Sequence, residues 1–288
     1  MLSRVCLPRR LEATTPAAGT PMNELPESLA AFYAALATRP DLNARVGGAD
    51  PALAGSFSLT SLRQCGLPQD RPVVVCDFGC GIGRVAAPVA HALAPGSRLV
   101  GIDIMPEFVD FCRDHVRAPG VASEFHLLAA ANDHYARTAE PRGGVDTALG
   151  HDALAAALAG SVHFLYAISV FTHLSPPMAA EALRLIAALL APGGFAVLTF
   201  FLYDEEVELE RRRGWRGGFD LKGGYWEGDV FYGSRRDPLA FVAYRPAGML
   251  GLAHDHGLAL RSSHAGTWRG TGIITHALQD FVVLEKTR

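Results

Sequence analysis

The stretch Val73-Val74-Val75-Cys76-Asp77-Phe78-Gly79-Cys80-Gly81-Ile82-Gly83-Arg84 decides the fold. Its first half is a short β-branched run that halts at glycine, the pattern of a strand buried on both faces of a parallel sheet. Glycines at alternate positions follow, and then a segment of helical composition over about 84–94. Such a loop lets the backbone turn sharply and approach a ligand closely, while the next helix aims its free N–H groups into the crevice. The loop is therefore expected to hold a nucleotide-like molecule.

Two details narrow that molecule. The dinucleotide fingerprint G-x-G-x-x-G is not met, because counting from Gly79 puts Arg84 at the third glycine position. Asp77 stands two residues before the first glycine, where a carboxylate repels a pyrophosphate but attracts an ammonium or sulfonium group. The next strand, Arg98-Leu-Val-Gly-Ile-Asp103, ends on an acid 20 residues beyond Gly83. A carboxylate there can accept bonds from both hydroxyls of a ribose. The competing reading is a glycine-rich turn beside an unrelated helix-capping aspartate.

Outward from this centre, strands and helices alternate. Pro106 and Glu107 open a helix carrying Phe108, Phe111, Cys112 and His115; strands are expected near 124–128 and 162–168; and a helix over 177–190 ends at Pro192-Gly193-Gly194 before Phe195-Ala-Val-Leu-Thr-Phe-Phe201. Upstream, Leu29, Phe32, Tyr33 and Leu36 share one stripe of a helix over 27–38, and Arg45-Val-Gly-Gly-Ala-Asp-Pro51 reads as turns. The last two strand-like runs, 258–263 and 280–286, have little helical sequence between them. The expected fold is thus α/β, a doubly wound and mostly parallel seven-stranded sheet closed by a C-terminal antiparallel hairpin. Residues 1–25 read as a disordered tail and 26–288 as one domain, with 204–250 a lid or substrate-binding insertion.

Composition limits the function. Apolar residues make up 49% of the 288 and charged residues 19%, enough for a substantial core. With 26 Lys and Arg against 29 Asp and Glu, the formal charge of -3 gives no general attraction to nucleic acid or anionic membrane. No run reaches the roughly 20 apolar residues of a membrane span. The five cysteines lack paired C-x-x-C spacing, so no metal site is expected and a cytoplasmic setting fits.

The residues of the loop and of the second strand resemble motifs I and II of the class I S-adenosylmethionine-dependent methyltransferases. The similarity runs from about residue 45 and takes in Arg45-Val-Gly-Gly48, Ser169-Val-Phe-Thr-His-Leu174, Ala191-Pro-Gly-Gly194, Gly266-Thr-Trp-Arg269 and Gln279-Asp280, a layout similar to the small bacterial branch. The resemblance implies S-adenosylmethionine as cofactor, its methionine end held by Asp77, Gly79, Cys80, Gly81 and Gly83, with Ser169 beside it. It implies ribose on Asp103, with Ile104 next to it, and adenine near the end of the third strand. The usual acid there would fall near Ala129, so Asn132 or Asp133 is expected to substitute.

Methyl transfer from a sulfonium needs desolvation and alignment first, and a general base if the acceptor is a hydroxyl. His173, just after the fourth strand, is the first base expected and His264 the second, against the simpler readings of helix packing and surface exposure. Phe171 and Tyr203 either wall the pocket or pack the core. Trp215, Tyr225, Trp226, Phe231 and Tyr232 either close over an acceptor or pack the insertion, and Arg211 to Arg213 either bind an acidic acceptor or pair with Glu206, Glu208 and Glu210. The acceptor is expected to be a small molecule, a glycan or a lipid-linked compound, methylated on oxygen. A nicotinamide-dependent oxidoreductase and a non-catalytic cofactor-binding module remain the alternatives.

Overall fold

The computed structural model describes residues 25–129, 148–214, 218–219, 221–270 and 277–287. Strand β1 (Val74–Phe78) lies between β2 (Arg98–Asp103) and β4 (Val162–Ala167), parallel to both, with Asp77 in register with Gly101 on one side and Tyr166 on the other. Beyond them run β3 (Ala122–Leu127) and β5 (Leu190–Leu202), also parallel. Strands β9 (Leu258–His264) and β10 (Asp280–Lys286) close the sheet, β10 antiparallel to both β5 and β9. This main sheet has the order β3-β2-β1-β4-β5-β10-β9, the seven strands and the terminal antiparallel pair expected.

Alternate residues of each strand feed two separate cores. Cys76, Phe78, Leu165 and Ala167 enter the core shared with α6 (His151–Leu158), α7 (Pro176–Leu189) and α9 (Pro246–Asp255). Val75, Phe164 and Tyr166 enter the opposite core, built with α1 (Glu27–Ala37), α2 (Pro40–Arg45), α3 (Pro51–Gln64), α4 (Ala86–Ala92) and α5 (Pro106–His115). The stripe read on α1 is the buried one: Leu29, Phe32, Tyr33 and Leu36 are all covered.

Three features depart from the sequence expectation. The turn-like segment around Gly47 and Gly48 is real, but it joins two helices, α2 and a fourteen-residue α3 capped by the Asp50 side chain on Leu53 N (2.8 Å). Helix α7 passes directly into β5 at Leu190, and the Pro-Gly-Gly segment is a bulge inside that strand: Val162 pairs with Leu190 but Phe164 with Phe195. The third is the segment after β5, to which the sequence pattern assigns no helix or strand. It forms α8 (Glu205–Arg212), with Asp204 capping Val207 N (3.1 Å), and then β6 (Tyr225–Glu227), β7 (Val230–Tyr232) and β8 (Val242–Tyr244). Strand β8 runs parallel to the far end of β5, pairing Ala243 with Phe201 and Tyr244 with Leu202.

A buried carboxylate fastens this end of the sheet. Asp280 accepts from Leu202 N, Gly266 N and Trp268 Nε1 at 2.7–2.8 Å. Arg269 lies beside it and binds Leu202 O (2.9 Å), Asp204 and Glu206. Burial raises the Asp280 pKa, while the three N–H donors and the guanidinium lower it.

Candidate functional site

The carboxyl ends of β1, β2, β4 and β5 open into a cavity of about 820 Å3, at the point where strand order reverses between β1 and β4. One half is built from the glycine loop. Gly79 N and Cys80 N both donate to Ile102 O (2.7 and 3.0 Å), which folds the loop over the end of β2. Gly79 takes φ +79° and Gly81 φ +51°, and a Cβ on Gly79 would lie 2.3 Å from Val170 Cγ2. The loop thus has the conformation and the tight fit that only glycine allows.

Two carboxyl groups meet at this loop. Asp103 accepts from Gly81 N through Oδ2 (2.7 Å) and from Met105 N through Oδ1 (2.9 Å), so the glycine loop and the entry to α5 orient it together. Burial raises its pKa; Met105, Gly81 and Ile104 backbone donors and the Arg45 charge oppose the rise. Asp77 is 2% exposed and accepts the Tyr166 hydroxyl at 3.0 Å. Its burial pushes the carboxyl up to about 8, eased by the Tyr166 bond and reinforced by the Asp103 charge.

Arg45, at the end of α2, also lines this half. Its Nη1 pairs with Glu107 and its guanidinium lies over the Phe108 ring, 5.0 Å from the centroid. Nε and Nη2 are buried without a hydrogen-bond partner, a costly state for a guanidinium unless an anion completes it. Sequence reading quoted Arg45 as part of a motif and gave it no role.

The other half lies over β4 and β5. Ser169 is the single non-glycine residue among those described with positive φ (+58°); its N–H donates to Thr199 Oγ1 (2.8 Å), and its hydroxyl exchanges bonds with the Gln279 amide (2.9 and 3.1 Å). His173 sits on the short turn Phe171–His173, with Nδ1 2.8 Å from Leu239 O. A carbonyl only accepts, so Nδ1 carries the hydrogen and Nε2 is the basic nitrogen of the neutral ring.

Of the residues expected from sequence, Asp77, Gly79, Cys80, Gly81, Asp103, Ile104, Ser169 and His173 line the cavity. Gly83 does not; it faces the interior, where a Cβ would meet Val116 Cγ2 at 2.9 Å and Cys112 Sγ at 3.1 Å. His264 is exposed on edge strand β9, opposite Phe281, and is not among the lining residues. Ala129 does line the cavity, whereas Asn132, Asp133 and Trp215 lie outside the described residues. The Cys80 thiol is buried and raised well above its usual pKa, chiefly by its contact with Cys112 and then by burial.

Phe171 and Tyr203 turn out to be core residues. Phe171 packs on Phe200 (4.8 Å), and the Tyr203 hydroxyl lies between Glu208 and Arg211 (both 2.6 Å). Arg212 and Arg213 pair with Glu208 and Glu210. Tyr225, Trp226, Phe231 and Tyr232 do not line the cavity; Phe201, Phe219 and Phe241 do.

Residues 76–196, which span the glycine loop through the start of β5, match the family model of a methyltransferase domain. These residues form a methyltransferase domain. Among solved structures it is similar to the PH0226 protein of Pyrococcus horikoshii, with 11% identity, a TM-score of 0.52, and 86% of this chain and 96% of the other covered. It is also similar to a 1,6-didemethyltoxoflavin N1-methyltransferase of Burkholderia thailandensis, with 16% identity, a TM-score of 0.49, and 96% and 94% covered. At such identities the likeness is one of fold. Among the described residues of this methyltransferase, no helix is long and apolar enough to cross a membrane.

The cavity suits S-adenosylmethionine, the cofactor that the resemblance of the glycine loop and of Asp103 implies. The glycine loop leaves room for close backbone approach, Asp77 is a buried acid with no cation among its hydrogen-bond partners, and Arg45 is a partly buried cation with two covered, unused nitrogens. A zwitterion offers the opposite charge to each.

Proposed function

We propose that this methyltransferase methylates a hydroxyl oxygen of a small-molecule acceptor, with His173 as general base. The observation that carries the reading is the His173–Leu239 bond, which fixes the ring tautomer with Nε2 as proton acceptor at the carboxyl end of β4. Nitrogen and sulfur acceptors have less need of such a base.

In this reading Asp103 holds the ribose hydroxyls, with Ile104 and Ala129 beside the adenosine. Gly79, Cys80 and Gly81 press on the methionine end next to Ser169, Asp77 faces its ammonium, and Arg45 takes its carboxylate. When bound, the cofactor supplies a methyl carbon already activated by the sulfonium, which keeps the bonding pair as the carbon–sulfur bond breaks. The protein's share is alignment, exclusion of water and removal of one proton. His173 Nε2 would take the acceptor's hydroxyl proton.

Thermal shift with S-adenosylhomocysteine against NAD, followed by transfer of labelled methyl into a fractionated metabolite extract, tests the proposal. Stabilisation by S-adenosylhomocysteine alone is expected, weakened by about 1–3 kcal/mol in Asp103→Ala, with the label appearing as an alkali-stable methyl ether. Label on nitrogen would refute the oxygen assignment, and cofactor binding without any transfer would refute catalysis.

A further inference from the structure

The acceptor half of the cavity is unlike its cofactor half. Three phenyl rings wall it: Phe201 and Phe241 stack with centroids 4.4 Å apart and planes 14° from parallel, and Phe219 meets Phe201 at 5.0 Å and Phe241 at 4.9 Å. Trp268 braces them from behind, 5.0 Å from Phe201, with its indole N–H fixed on Asp280 at 2.7 Å. Leu174, Met178 and Leu278 extend the apolar lining, Leu278 at 48% exposure. Backing of this kind keeps the rings in place, so they present a preformed aromatic wall of ring edges and tilted faces.

Charge is distributed just as unevenly. Among the described residues, the lining cations are Arg45 and Arg84, one upstream of β1 and one in the glycine loop; from β4 onward the described lining has no Lys or Arg, and its one carboxylate is the exposed Glu181. A carboxylate, phosphate or lipid pyrophosphate on the acceptor would be desolvated against phenyl rings with no cationic partner. A glycan fares little better, since each sugar carries several hydroxyls and the three phenyl rings offer them no hydrogen-bond partner. One polar group asks for a partner: Thr172 lines the cavity next to His173, is 1% exposed, and its Oγ1 makes no hydrogen bond. A single hydroxyl placed between Thr172 and His173 would satisfy it.

Building on the function proposed above, we infer that the acceptor is an uncharged aromatic alcohol whose ring lies against Phe201, Phe219 and Phe241 and whose hydroxyl is received by Thr172 and His173. The class is that of phenols and naphthols, as distinct from sugars and from acidic or lipid-linked compounds.

Calorimetric titration tests this with 2-naphthol, 2-naphthoate and methyl β-glucoside, each added to protein first saturated with S-adenosylhomocysteine. The expected result is saturable 2-naphthol binding at least tenfold tighter than 2-naphthoate, with no heat from the glucoside. Phe219→Ala and Phe241→Ala should each weaken 2-naphthol about tenfold and leave the S-adenosylhomocysteine affinity unchanged. Thr172→Val, close in shape, should weaken 2-naphthol while sparing naphthalene. Equal or tighter naphthoate binding, glucoside binding, or indifference of 2-naphthol to the Phe219 and Thr172 variants would overturn the assignment. Absence of S-adenosylhomocysteine binding in the first titration would instead count against the function on which it rests.

Discussion

Replacing Asp77 with Asn should make the unliganded protein more stable while removing its grip on the cofactor. The carboxyl is covered, and its pKa stands at about 8 in the fold against 3.8 in an exposed chain. A raised folded pKa means that the group's contribution to stability is fully present below about pH 3.8 and is lost as pH rises through 8. Between pH 5 and pH 8 the unfolded chain is ionised throughout, whereas the folded chain acquires its charge only at the top of the interval. At about 1.4 kcal/mol per unit, the loss over that interval is about 4 kcal/mol. Asparagine keeps an acceptor for the Tyr166 hydroxyl and has no charge to bury. Urea unfolding of both proteins at pH 5, 6, 7 and 8, without ligand, should show the variant's advantage growing by about 1 to 4 kcal/mol across the range, the lower figure applying if water enters beside the carboxylate. Saturating S-adenosylhomocysteine should then stabilise the wild type and not the variant. Parallel stability curves for the two proteins would show that Asp77 is not held at a cost, and the argument from its burial would fail.

Arg45→Met keeps the contact with Phe108 but removes the guanidinium, and should cost about 1.5–3 kcal/mol of S-adenosylhomocysteine affinity. Binding of 5′-methylthioadenosine, which has no amino-acid carboxylate, should not change; equal losses for both ligands would mean Arg45 acts on the adenosine end. His173→Asn retains a donor for Leu239 O and should lower turnover about 100- to 10,000-fold with cofactor affinity intact; turnover within a few-fold of wild type would remove the general base. Gly79→Ala should destabilise the protein, through the positive φ at about 1–2 kcal/mol and through the clash with Val170 besides. Adding Val170→Ala should recover only the second part in thermal melting, so full recovery would show that the φ angle carries no cost.

The parts of this molecule that could be read from its sequence are those written locally. The β-branched run into Gly79, the acid at the end of β2 and the alternation of apolar strands with helices specify their own geometry within a few residues, and each stands where its pattern put it. Helix α3 escaped because its sequence, with Gly55 and a run of Ser and Thr, lacks a strong apolar stripe. Its Gly55 is there for contact, since a Cβ would come within 2.4 Å of Arg84 O. The phenyl wall of the cavity escaped for a different reason. Phe201, Phe219 and Phe241 are widely spaced along the chain and meet only through tertiary packing, while the more conspicuous Tyr225 and Trp226 spend their rings on Tyr232, Tyr203 and Phe231. Likewise, a histidine near a glycine-rich loop reads the same whether it points to a cavity or, as His264 does, lies exposed on a sheet edge.

Strand β5 belongs to two sheets at once, bonded to β4 and β10 over most of its length and to β8 at Phe201 and Leu202. Whatever contacts the acceptor on this side is thereby carried on the same rigid beam that positions the cofactor, so selectivity can be rewritten by exchanging side chains on a stationary frame. An engineer seeking a new substrate would do well to vary position 201, on β5 itself, before altering the connecting segments that carry Phe219 and Phe241.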